Sequence, residues 1–170
     1  DLLLRAGDAR AVGFLNHALM LHPFHPGLHR LTARLLSDNK HETQAALEYS
    51  LAMKGTLQPK PLLDEILHVL PNPDNAALAI PPDWEPRDAI LAALHDLKHD
   101  DVAERWLARV IQQPDVDIET VDTLYEMATA SQHFDVAKRA AVRRLQLAHT
   151  YSSRLMLARV EFRLKDYKPI

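Results

Sequence analysis

Ten histidines, 23 acidic side chains and a few serines are the groups in this 170-residue chain that could do chemistry. His17, His22, His25 and His29 crowd one stretch, and imidazole nitrogens are common metal ligands. A metal site needs three or four ligands held in supported orientations. Pro26 separates His25 from His29, and no Asp, Glu or Cys completes a set nearby. Structural or surface histidines are expected there, and no metal. The chain has no cysteine, which removes disulfides, thiolate nucleophiles and thiolate metal ligands. Ser50, Ser152 and Ser153 stand in or beside helical patterns, without the Gly-flanked turn that exposes a catalytic serine. The four glycines are isolated, so no loop cradles a phosphate. Paired acids such as Asp100-Asp101 suit a helix start better than catalysis. No catalytic residue and no cofactor is expected, and the chain does not read as an enzyme.

Charge points to partners. The net charge of −3 hides an asymmetry: residues 57–131 hold 15 acidic and 5 basic side chains, whereas residues 132–170 hold 3 and 9. Lys138, Arg139, Arg143 and Arg144 crowd one helical segment, and Arg154, Arg159, Arg163 and Lys165 the next. Such a basic end could track a phosphate backbone. The acidic middle would repel a long polyanion and aromatic residues are few, so nucleic acid is the second choice behind protein.

Helices must position these groups. Ala and Leu dominate, and both are good helix formers. Apolar spacing marks helices over residues 9–22 (Ala11, Phe14, Leu15, Ala18, Leu19, Leu21), 28–36 and 42–54, with Gly55 at the position that follows a helix end. A short helix follows from Pro61 to Leu70. Residues 71–86 carry five of the eleven prolines and read as an irregular connection. Pro86 starts a helix to about Leu97, and Asp101-x-x-Glu104 caps the one ending near Gln113. Further helices run over about 118–131, 134–148 and 153–165. Short turns between helices make antiparallel neighbours. No apolar run reaches the roughly 20 residues of a membrane span, and no signal peptide is visible. The first residue, Asp1, suggests a piece of a longer protein.

A repeat underlies this order. Ala11-x3-Leu15-x2-Ala18-x4-Pro23 recurs 34 residues later as Ala45-x3-Tyr49-x2-Ala52, and Ala103-x3-Leu107 recurs at the same interval as Ala137-x3-Ala141. The turns Lys40-His41-Glu42, Lys98-His99-Asp100 and Gln132-His133-Phe134 hold equivalent places, with Phe134 and Tyr167 matching an aromatic before the second helix. A small residue at a crossing lets two helix axes approach, and the larger residue four on fills the gap beside it. The chain resembles the tetratricopeptide repeat family, whose period is 34 residues. It departs from the pattern between Ala45 and Ala103, where about 24 residues are extra, in His29 and Ala33 at first-helix signature positions, and in Arg144 at a second-helix Ala position.

That resemblance implies an all-α, tetratricopeptide-like α-solenoid: four to five antiparallel helical hairpins in a right-handed superhelix, one domain over 1–170 with an irregular Pro-rich unit at 57–83. It also implies a concave groove lined by the first helix of each hairpin. Carried over by register, the groove residues are Arg30, Arg34, Asp88, His95, Glu119, Asp122, Glu126, Arg159 and Phe162, with Ala92 and Leu155 among them. Arg34, Ala92, Glu126 and Arg159 stand where a carboxylate clamp wants Asn, which argues against capture of a peptide tail. The expected function is a protein–protein interaction scaffold or adaptor. Family analogy places such arrays in membrane-associated bacterial secretion or exopolysaccharide-export assemblies. The alternative is a nucleic-acid-associated helical repeat using Lys138, Arg139, Arg143, Arg144 and Arg163. A soluble domain is expected, with the cytoplasm favoured over the periplasm.

Overall fold

The computed structural model describes residues 10–56, 59–85 and 87–166. The expected roles of Pro86 and Tyr167, and the side chain of Ala11, fall outside the described residues. Every regular element described is an α-helix, and no strand occurs among the described residues. In chain order the helices are α1 (Arg10–Leu21), α2 (Pro26–Asp38), α3 (Glu42–Lys54), α4 (Pro59–Val69), α5 (Pro73–Ala79), α6 (Arg87–Asp96), α7 (Asp100–Val110), α8 (Ile118–Ala130), α9 (Phe134–Leu147) and α10 (Tyr151–Asp166). They fall into two compact units, Asp1–Ala103 and Glu104–Ile170.

In the first unit α2 packs on α1 and α3, α3 on α4 and α5, and α4 on α5 and α6. Its core holds Tyr49, Met53, Leu63, Ile66, Ile80, Ile90 and Leu94, all fully buried. The Pro-rich stretch is not wholly irregular. Pro73 occupies the first turn of α5, where a missing amide hydrogen costs nothing. The Asn72 side chain caps that turn by accepting from the Asp74 amide at 2.8 Å. Counting prolines as breakers hides this helix, because the residue before Pro73 is itself a capping residue. Helices α4 and α5, of 11 and 7 residues, lie within the long interval between Ala45 and Ala103. In the second unit α9 packs between α8 and α10. Ala128, Ala137 and Val160 form one buried cluster there, with Tyr125, Phe134, Val136 and Leu164 packed against it.

Four helices begin alike. Ala45, Ala76, Ala103 and Ala137 each donate their amide to the carbonyl four residues back, on His41, Asn72, His99 and His133, at 2.9–3.1 Å. All four alanines are at most 1% exposed. Ala52 and Ala141, from the same signature, are buried as well, while Ala18 is half-buried. Small side chains therefore do stand at helix contacts.

The three turns that look alike in sequence share one backbone geometry. Lys40, Lys98 and Gln132 adopt φ of 67°, 62° and 60°. The following histidine amide reaches back to Leu36, Leu94 or Ala128, and the left-handed residue itself to Ser37, His95 or Thr129. This double bond pattern is the Schellman helix ending, usually built on Gly. A side chain in that conformation costs roughly 1–2 kcal/mol, partly offset by the greater freedom Gly has when unfolded. Lys98→Gly is therefore expected to stabilise the chain by about 0.5–1 kcal/mol, read as a higher urea midpoint with unchanged slope. Gly55 serves a different purpose from the one its position suggests. It caps α3 at φ −98°, and an added Cβ would lie 2.3 Å from Cγ of Pro26. Close approach of α2, not left-handed backbone, makes Gly55 necessary.

Candidate docking cleft

The groove residues expected from register separate into three environments. Arg30 and Arg34, one turn apart on α2, converge on Glu65 of α4. Arg34 engages the carboxylate with Nε and Nη2, each at 2.7 Å, and Arg30 adds Nε at 2.7 Å and a close Nη2 contact. The hydroxyl of Tyr49, from α3, donates to the same carboxylate at 3.0 Å. Burial alone would raise the Glu65 pKa, but these three donors outweigh it and lower it to about 2. Burial, and then the Glu65 charge, push the Tyr49 hydroxyl above its usual range. This cluster ties three helices together, so Arg30 and Arg34 are structural ties more than free groove cations. Glu65 is not among the residues that register assigns to the site.

Asp88 and His95 on α6 are exposed, and His95 Nδ1 sits 3.0 Å from Asp100. That hydrogen bond raises the His95 pKa. On α8, Glu119 and Glu126 are exposed but Asp122 is half-buried. Asp122 accepts from Nε of Arg144 at 2.5 Å, and Arg144 Nη1 donates to the fully buried Ser153 hydroxyl at 2.6 Å. A residue assigned to an acidic groove and one assigned to a basic patch are thus partners, locking α8, α9 and α10. Arg144, at a position where the repeat pattern wants Ala, makes this bridge. The rest of the basic patch is also partly spent. Lys138 pairs with Glu161 at 3.3 Å, and Arg143 donates to the Gln113 carbonyl at 2.8 Å. Arg139 and Arg163 are exposed.

The third environment is a cavity of about 680 Å³ in the second unit. Tyr125 and Thr129 of α8 and Phe134 of α9 line one side, and Leu155, Ala158, Arg159, Val160, Phe162 and Arg163 of α10 the other. Phe162 is 64% exposed and Leu155 36%. Arg159 and Arg163, one helical turn apart, have no ion-pair or hydrogen-bond partner for their side chains among the described residues. The structure thus brings Arg159 and Phe162 from the groove assignment together with Arg163 from the basic patch. Sequence reasoning misses Tyr125, Thr129 and Phe134 as site residues, because their spacing shows only a helix face and the start of another.

His29 is buried, with Nδ1 2.7 Å from Glu48 and Nε2 2.7 Å from the Pro23 carbonyl, so neither nitrogen is free. Among the described residues no group of three or more His, Asp or Glu could hold an ion. No helix described is long and apolar enough to cross a membrane. No protein-family model matches the chain, and no curated protein matches it significantly.

Proposed function

We propose that the chain is a helical-repeat docking module, a tetratricopeptide-like right-handed array of hairpins that holds a segment of another protein and does no catalysis of its own. The carrying observation is the cleft between α8 and α10. Apolar Leu155 and Phe162 lie open beside two guanidinium groups that have no partner among the described residues, an arrangement suited to side chains of a partner rather than to reacting atoms. The repeated helix starts and Schellman turns support the array, since each hairpin built this way leaves a face for a neighbour to cover. The pairing of Arg144, Lys138 and Arg143 with groups of their own unit leaves fewer free cations for a phosphate backbone, which favours protein over nucleic acid. A place in a larger envelope-associated assembly is compatible with a docking module and rests on family analogy alone.

Site-specific photocrosslinking tests this reading. A photoreactive side chain at position 162 is expected to give a discrete adduct in cells, destroyed by protease and untouched by nuclease. The same group at the exposed position 112, outside the groove assignment, serves as control. Arg139→Glu is expected to leave the adduct unchanged. A nuclease-sensitive adduct, or none above the position-112 control, would overturn the reading.

A further inference from the structure

The open side of α10, which forms one wall of the cleft, carries an apolar stripe. Ser153 and Val160 are buried, with Met156, Leu157 and Leu164 half-buried on the same side, so this face is turned into the second unit. Tyr151, Leu155, Ala158 and Phe162 follow one another on the open side, the last three at the cleft, and all are exposed, Tyr151 by 82%. Their spacing of four, three and four residues is that of a coiled-coil seam. A helix that needs only one covered side carries polar residues on the other. Here the open side is apolar, with a small residue, Ala158, at its middle where a second helix axis could come close.

Charge says what should cover it. Arg154 and Arg159 flank the seam on its two sides, and Arg163 follows Phe162; all three are exposed and lack side-chain partners among the described residues. Among the described side chains of α10 the acid is Glu161, and it is engaged by Lys138. The same seam of a second copy would set arginines against arginines, so symmetric self-pairing is disfavoured. From the docking reading above we infer that this face takes an amphipathic helix of another protein, with a Leu/Ile/Phe stripe flanked by Glu or Asp. From Tyr151 to Phe162 the seam rises about 16 Å, so three turns of partner helix cover it. The partner's apolar side chains enter the cleft beside Tyr125 and Phe134, and its carboxylates meet Arg154, Arg159 and Arg163.

Fluorescence polarisation with three labelled 18-residue helical peptides tests this on the full chain. They share one length and helix content: an apolar heptad stripe flanked by Glu, the same stripe flanked by Lys, and the Glu peptide with its stripe scrambled. The Glu-flanked peptide is expected to bind at least tenfold more tightly than the other two and to weaken several-fold from 50 to 500 mM salt. Phe162→Glu should abolish binding, with circular dichroism confirming unchanged helix. In Arg154→Glu/Arg159→Glu the preference should reverse toward the Lys-flanked peptide. Equal binding of the Glu and Lys peptides, lost in Phe162→Glu, would sink the acidic partner while leaving the cleft a docking site. Failure of every peptide, or binding indifferent to Phe162→Glu, would sink the docking reading of this cleft as well. Sedimentation equilibrium without peptide should give a monomer; a dimer lost on Phe162→Glu would assign the face to self-association and overturn the inference.

Discussion

Glu65→Gln is expected to lower stability by about 2–3 kcal/mol at pH 7 and to flatten the acid arm of the stability profile. In the native chain the Glu65 pKa is lowered to about 2 from an ordinary 4.5. A depressed carboxylate pKa stabilises the fold fully above the unfolded value, and that contribution disappears as pH falls through the folded one. The window is therefore about pH 5 down to pH 2, and its full depth is at most about 3 kcal/mol. Removing one member of a buried ion cluster can cost more than this. Here the loss is moderated because Arg30 and Arg34 are nearly half exposed and can be rehydrated. Tyr49 has no such recourse, being 0% exposed, so its hydroxyl must share a weaker amide acceptor. Urea unfolding of both proteins between pH 7 and pH 2.5 checks the expectation: the gap should be widest at pH 7 and close toward pH 2.5. A constant gap would mean that Gln fails for reasons of packing, not charge.

Ala137→Leu is expected to destabilise by about 1–3 kcal/mol, and Ala45→Leu by a similar amount. Ala137 is 0% exposed and packs with Ala128 and Val160 where α8, α9 and α10 meet. At 0% exposure three added carbons must push on packed neighbours, so helix axes separate or side chains leave their preferred rotamers. Leucine is nearly as good a helix former as alanine, so propensity does not account for the loss. Ala130→Leu, at an exposed position near the end of α8, is the control and should change stability by less than about 0.5 kcal/mol. Thermal or urea unfolding of the three variants gives the comparison. Equal behaviour of Ala130→Leu and Ala137→Leu would show that the small residues are not where the helices meet closely.

Much of the local architecture is legible in the residues, for reasons of spacing and capping. Helix α3 shows in the apolar period that ends at Lys54 and Gly55, and α9 in the run after His133. The alignment of Lys40, Lys98 and Gln132 in like turns needs no coordinates, although nothing in those side chains announces a left-handed backbone. Helix α5 escapes such reading because five prolines between 71 and 86 outvote a seven-residue helix in any window average, and only the Asn72-Pro73-Asp74 start betrays it. The groove assignment fares unevenly. Register places Arg159 and Phe162 on α10, and both line the cleft. It also places Asp122 in a groove, where it instead holds Arg144.

From the order of its residues alone, this chain is committed to helices, to their turns, and to small side chains at recurring contacts, because each of these depends on neighbours within a few positions. Which charges cancel is a different matter. Glu65 gathers cations from 31 and 35 residues away, and Asp122 meets Arg144 across 22, distances in sequence that only packing converts into contact. The tertiary structure therefore decided which of many candidate arginines are consumed holding helices together. It left Arg154, Arg159 and Arg163 beside an open apolar stripe, where they can act on something outside the chain.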